Sequence, residues 1–353
     1  MERDTYPEER FIASGLREER VPEAAARLSV RRLLELCDWH GVGPVLAGAL
    51  ERRPLPAPVR EKILPPLKDL RRQTLLDNLL LIRELARFAG ELQAAGVPFL
   101  LLKGAALLPL IYSGPEARPL ADVDLLIQAA DWPRARDHLH RTGRYRLPAA
   151  GRQRLRTRFH RKVDVATVAR PGCTFELHWE MDIRDRTVVD IPALMARAVP
   201  LDLEGDGYRR PSDPDLALHA FLHLASHASF PRLIWVHDLA LLARAGRIDW
   251  DRLSADAARA RARASLHYSL TYLEKIYPGT APSGLLARAP FGAFRRWMFR
   301  RAATPNPILP TVDLWRLHRR YAYALAFLDT PGMMVRFALG HAWRKVRARL
   351  PGT

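Results

Sequence analysis

Apolar positions along the chain change period several times, and each change predicts an element. Val30 to Leu36 repeats at helical spacing, Gly41-Val42-Gly43-Pro44 turns the chain, and Val45–Leu50 resumes it. A Pro-rich break over Arg53–Pro58 precedes a long helical pattern from Val59 to Ala95, carried by Leu75, Leu79, Ile82, Leu85 and Phe88 and closed by Gly96. The pattern then shortens. Phe99–Leu102 is an unbroken apolar run, as in a strand buried on both faces. Lys103-Gly104 ends it, and Ala105–Tyr112 fits two helical turns before Ser113-Gly114-Pro115. A second strand covers Ala121–Ile127 and opens on Asp122-Val123-Asp124. Asp131 is placed to cap a helix over Trp132–Arg141, with Thr142-Gly143 as its stop.

Further on, Lys162–Val168 and Cys173–Trp179 alternate polar and apolar residues about the turn Arg170-Pro171-Gly172, which predicts a hairpin. Glu176 and His178 share the face of Thr174, while Phe175, Leu177 and Trp179 share the other. Arg144–Lys162 has no clear period and reads as a loop or irregular helix. Val199–Leu203 and Tyr208–Arg210 flank Glu204-Gly205-Asp206-Gly207, a second hairpin signal. From Pro214 the pattern is helical again, through Leu242 and then, as one amphipathic helix, over Asp249–Tyr277. The predicted fold is α/β of the α+β kind, a small mixed sheet between helical segments. The divisions are 1–95 (helical), 96–212 (α/β core), 213–290 (helical) and 291–353 (a basic, aromatic helical tail).

Asp is a poor strand former and costly to bury, so two in one strand opening require a reason. Residues i and i+2 of a strand lie roughly 6.6 Å apart on one face, a spacing that lets both carboxylates converge on divalent ions. An isolated Asp-x-Asp is better explained by a frayed strand start, solvated or capping a loop. Here it follows a strand–Lys-Gly–helix unit and precedes the strand-borne Glu176, which completes a carboxylate triad if the hairpin joins the sheet beside the Asp strand.

Leu102-Lys103-Gly104-Ala105, Arg118 with Asp122-Val123-Asp124-Leu125-Leu126, and Glu176-Leu177-His178-Trp179 together resemble the uncharacterised nucleotidyltransferase family, within the polymerase-beta-like superfamily. Trp235-Val236-His237-Asp238-Leu239 resembles the same family further on. The resemblance implies transfer of NMP from a nucleoside triphosphate to an unknown acceptor. It implies Mg2+ (or Mn2+) held by Asp122 and Asp124, to which the strand pattern adds Glu176 as third carboxylate ligand and candidate base for the acceptor hydroxyl. Lys103, the Gly104 backbone and Arg118 would cradle the triphosphate, and His178, on the Glu176 face, would contact substrate or make a structural hydrogen bond. The wider superfamily carries Gly-Ser at the turn where this chain has Lys103-Gly104-Ala105, so a lysine replaces the hydroxyl. The alternative is a catalytically degenerate fold that senses nucleotide or docks a partner.

Composition adds less. Lys and Arg total 56 against 38 acidic residues, a net charge of +18. The excess suits anionic partners, but it is spread along an Arg- and Ala-rich chain, as GC-rich bacterial genomes produce. It gathers over Arg144–Lys162 and in the tail, where Arg residues interleave with Trp297, Phe299, Trp315, Tyr321 and Trp343. That pattern fits packed amphipathic helices or an anionic membrane surface; nucleic acid is the third alternative, with no recognition motif to favour it. Two cysteines, Cys37 and Cys173, make no disulfide framework, and no apolar run reaches spanning length, which leads to a cytoplasmic expectation. His219, His223 and His227 form one helical stripe. Zinc is the sharp reading, and buried histidines lining the cleft are the preferred one, because no carboxylate or cysteine accompanies them at ligand spacing.

Overall fold

The computed structural model describes residues 7–19, 28–148, 162–170, 172–181, 187–203, 207–227, 231–287, 291–292, 328–330, 332–335 and 339. Most of the basic tail, and the arginine-rich 149–161, lie outside these residues.

The N-terminal part is helical: α1 (Pro7–Leu16), α2 (Val30–His40), α3 (Gly43–Glu51), a π-type turn over Val59–Ile63, and the 31-residue α4 (Leu64–Ala94). Ser29 caps α2 by accepting from the Arg32 N–H, and Gly41, at φ +67°, ends it in the left-handed conformation that glycine adopts most readily.

Next come β1 (Leu100–Leu101), α5 (Lys103–Ile111), β2 (Val123–Leu126), α6 (Trp132–Thr142), β3 (Tyr145–Arg146), β4 (Lys162–Thr167) and β5 (Thr174–His178). They build a mixed five-stranded sheet in the order β1-β2-β5-β4-β3. The β2–β5 pair is parallel and the others are antiparallel. The alternation of β4 and β5 therefore does form a hairpin, and β5 does lie beside the Asp strand. The apolar face, with Val123, Leu125, Val163, Val165, Phe175 and Leu177, is fully buried. Phe88 of α4 stacks on Phe175 there at 4.1 Å between ring centroids, with the edge of Tyr145 also against Phe88.

A short helix α7 (Ile191–Ala196) and a ribbon of β6 (Val199–Pro200) with β7 (Arg209–Arg210) lead to the C-terminal helices. These are α8 (Asp213–Ser226), α9 (Leu233–Arg244), α10 (Trp250–Arg259), α11 (Arg263–Ile276) and α12 (Ser283–Ala287). One buried core runs from Phe11 and Leu33 through the sheet to Phe221, Leu239 and Tyr272. No helix of the described residues is long and apolar enough to cross a membrane.

Two local expectations are corrected. Asp249–Tyr277 is two helices, broken where Arg261 takes φ +56° and the Ala262 N–H returns to the Ala257 carbonyl. No Gly or Pro marks that break in the alanine-rich segment. Asp131 does not cap α6 through its side chain, because it sits in a 3-10 turn and its carboxylate accepts from Arg134 instead.

Candidate active site

The site is assembled on the polar face of the sheet. Asp124 and Glu176 are register partners on the parallel strands β2 and β5, so their carboxylates project side by side. His178, two residues beyond Glu176, shares that face, and its Nε2 lies 2.8 Å from Asp124 Oδ1 and 3.2 Å from Glu176 Oε2. Asp124, Glu176 and His178 offer ligand atoms that all lie within 4.8 Å of one another. Asp122 stands just before β2, at the mouth of this cluster.

Two lysines already sit on the acids. Lys103 Nζ is 2.6 Å from Asp124 Oδ1 and 4.0 Å from Glu176 Oε2, and Lys162 Nζ is 2.5 Å from Glu176 Oε2. Lys103 reaches Asp124 from the first residue of α5 at φ +46°, a conformation uncommon for a side-chain-bearing residue. Such strain persists only where the surroundings enforce it and tends to gather at functional sites. Lys162 was not among the expected site residues. Its signal was the β4 alternation, which puts it beside His178, and Asp164 beside Glu176, in the antiparallel register.

The electrostatics separate the three carboxylates. Burial pushes Asp122 up to about 6, with Asp124 and Glu176 adding repulsion. Burial would also raise Asp124, but Lys103 and His178 outweigh it and hold the carboxyl well below the ordinary range. Glu176 is likewise lowered against its burial by the His178 hydrogen bond and the two lysines. Lys103 is raised, because Asp124 and Glu176 overcome its own burial.

A cavity of about 310 Å3 opens from this cluster. Lys103, Gly104, Asp122 and Asp124 form one wall, Asp38 and Gly43 of the N-terminal helices another, and Arg232 and Trp235 a third. Arg118 also lines it, but its guanidinium is committed elsewhere. Nε and Nη2 donate to the two oxygens of Asp238 at 2.9 and 2.8 Å, and the Tyr112 hydroxyl donates to Oδ1 at 2.5 Å. Asp238 belongs to α9, within the family-like segment Trp235–Leu239. It pairs 120 residues away. The loop before Asp122 is fixed from behind by Asn78 of α4, whose Nδ2 donates to the Pro115 and Arg118 carbonyls while its Oδ1 accepts from Leu120 N–H. No local pattern marked Asn78.

The histidine stripe on α8 is buried at one end, with His219 pushed down to about 3 and His223 well below its usual value, both by burial foremost. His223 lines the cavity and meets the Trp235 ring edge-on at 4.6 Å. His227 Nδ1 lies 3.0 Å from the His223 carbonyl oxygen. Among the described residues, the group with metal-ligand spacing contains none of these three.

The family model described as "uncharacterised nucleotidyltransferase" matches residues 27–278. The chain belongs to this nucleotidyltransferase family. The match takes in α2 to α4, the carboxylate strands and α8 to α11, so every wall of the cavity lies inside it. Membership places the activity among transferases of phosphorus-containing groups, with a nucleoside triphosphate as the substrate the family implies. No curated protein and no solved structure matches.

Proposed function

We propose that this nucleotidyltransferase moves a nucleoside monophosphate from a nucleoside triphosphate to an acceptor hydroxyl, at the Asp122–Asp124–Glu176 face of the sheet. The observation that carries this reading is the pairing of Asp124 with Glu176 across parallel strands, opening into a cavity of nucleotide-site size.

The donor set fits a divalent ion. Two low-pKa carboxylates stand together, a third is raised to about 6 by burial and then by the other two, and ammonium groups occupy the cluster as cationic stand-ins. Asp124 and Glu176 would hold Mg2+ (or Mn2+), with Asp122 at the mouth and His178 within reach. An imidazole ligand would favour Mn2+ over Mg2+, which prefers oxygen alone. Bound there, the ion would offset charge developing on the transferred phosphoryl group.

The chain's own residues supply position and proton handling. The acceptor oxygen attacks the α-phosphorus, the bond to the bridging oxygen breaks, and pyrophosphate leaves with that electron pair. The acceptor's proton goes to a carboxylate. Before an ion binds, Asp122, near 6, is the most basic of the three carboxylates, whereas the His178 hydrogen bond and the two lysines lower Glu176. That departs from the base role expected for Glu176. Lys103 and the Gly104 backbone lie at the head of α5, where N–H groups and positive charge favour phosphate.

The experiment is to follow pyrophosphate release from each nucleoside triphosphate with Mg2+ or Mn2+, across hydroxyl acceptors, with Asp124→Asn as control. Release by the wild type and its loss in the variant supports the reading; equal release by both sinks it. One observation favours a second reading. Lys103 on Asp124 and Lys162 on Glu176 already neutralise the acids, as a binding module without turnover would require. Nucleotide binding that is indifferent to divalent ions, without pyrophosphate release, would select it.

A further inference from the structure

The cations around the cleft are not equivalent. Lys103 is spent on Asp124, Lys162 on Glu176, and Arg118 on both oxygens of Asp238. Arg232 differs. Its Nε donates to the Trp39 carbonyl at 2.7 Å and its Nη2 to the Asp38 carbonyl at 3.3 Å, both at the C-terminal end of α2. These neutral acceptors orient the guanidinium without cancelling its charge. Among the described residues no carboxylate comes within ion-pairing distance of it, although Asp38 and Asp122 attract it from further off. Burial, and repulsion from Arg118 behind it, push its pKa down, as expected of a cation lacking a counter-ion. It lines the same cavity as Asp122 and Asp124.

We infer that Arg232 is the cleft's anion-binding residue, the group that receives the distal phosphates of the triphosphate. The inference rests on the proposed nucleotide site. A guanidinium carries five N–H donors, and the two carbonyls take two of them, leaving three that include a planar pair for bidentate contact with phosphate oxygens. Arg118, the arginine expected for this task, has its charge matched already. The α2 tether also gives the N-terminal helices a part in the site, because the carbonyls that aim Arg232 belong to Asp38 and Trp39. Placing the charge away from the carboxylates fits an extended triphosphate, with its α-phosphate at the acids and its tail towards α2.

The test titrates the full chain with the common nucleoside triphosphates, a nucleoside monophosphate and inorganic tripolyphosphate, all with Mg2+, in wild type, Arg232→Gln and Arg232→Lys. Loss of a charged contact predicts about 10–100-fold weaker triphosphate and tripolyphosphate binding in Arg232→Gln, and monophosphate binding within about threefold. Arg232→Lys should recover part of the loss, since it restores the charge without the fork. In the wild type, modification of Arg232 by phenylglyoxal, mapped by mass spectrometry, should slow with triphosphate and not with monophosphate; this decides the matter if Arg232→Gln fails to fold. Unchanged triphosphate affinity in a folded Arg232→Gln, or equal losses for monophosphate and triphosphate, would overturn the inference and leave the transferase reading standing. Arg232-dependent tripolyphosphate binding with no tighter binding of any nucleotide would uphold the anion site and sink the nucleotide reading. A wild type that binds neither ends both.

Discussion

Gly104 lies directly beneath the Arg118 guanidinium, and a Cβ there would run into it and come within 2.6 Å of Leu120 Cδ2. The glycine after Lys103 is thus required for close approach of a neighbouring side chain and not for an unusual backbone angle. Gly104→Ala should push Arg118 off Asp238 or displace Leu120, and overpacking of this kind costs about 1–3 kcal/mol. A lower denaturation midpoint with an unchanged denaturant slope is the expected result. Gly90 is the control, since a Cβ there would meet nothing within 4 Å.

The Arg118–Asp238 pair is 7% and 5% exposed at its side chains. Removing one partner of such a pair strands the other charge, typically at about 3–5 kcal/mol. Asp238→Asn should therefore destabilise strongly, and the double variant Arg118→Met/Asp238→Leu should restore much of the loss. Thermal melts of the single and double variants measure this. A double variant no more stable than Asp238→Asn would show that the pair's worth lies elsewhere.

Asp122 gives a pH-dependent prediction of opposite sign to that of an ordinary salt-bridged carboxylate. Its folded pKa, about 6, lies above the usual 3.8. The folded state therefore binds the proton more tightly than the unfolded chain, and that stabilisation is present at low pH and lost as pH rises through about 6. Ionised Asp122 is a strain on the metal-free fold worth up to ~3 kcal/mol, from roughly two pH units at 1.36 kcal/mol each. In EDTA, Asp122→Asn should melt above the wild type at pH 7–8, and the gap should close towards pH 4. An equal gap at both pH values would refute the assignment. Greater stability on loss of a site carboxylate is the usual trade between function and stability.

What the sequence made legible follows from the range over which each signal acts. The Asp strand, the Glu176 strand and the turn at Lys103-Gly104 are local patterns of period two or of helix-breaking residues, and the sheet places them together as those patterns imply. Lys162 was equally legible, since the same alternation that puts Glu176 on the polar face puts Lys162 there. The partnership of Arg118 with Asp238 spans 120 residues, and that of Asn78 with the Arg118 carbonyl spans 40. Nothing in local periodicity records such pairs. The orientation of Arg232 depends on main-chain carbonyls, which every residue possesses, so no residue type announces it. The break at Arg261 occurs among alanines and arginines, both good helix formers, so packing decided it against propensity.

The last prediction turns on Lys103, whose ammonium lies where a metal cation would compete with it. It is 2.6 Å from Asp124 Oδ1, with its side chain 19% exposed, and together with His178 it holds that carboxyl well below its ordinary range. Lys103→Ala should consequently lower stability by about 2–4 kcal/mol, somewhat under the full value for a buried pair. Lys103→Gly should lose less, because glycine adopts φ +46° freely while alanine keeps the strain. The decisive step is to repeat both melts with Mn2+. If Asp124 and Glu176 form a cation site, Mn2+ takes over the neutralisation that Lys103 provided, so the deficit shrinks and Mn2+ binds the variants more tightly than the wild type. Mass action makes the rescue concentration-dependent, about 2.7 kcal/mol at a hundredfold excess over Kd. A deficit that Mn2+ leaves untouched, with no gain in Mn2+ affinity, would identify Lys103 as a purely structural counter-ion and remove the metal from this face of the sheet.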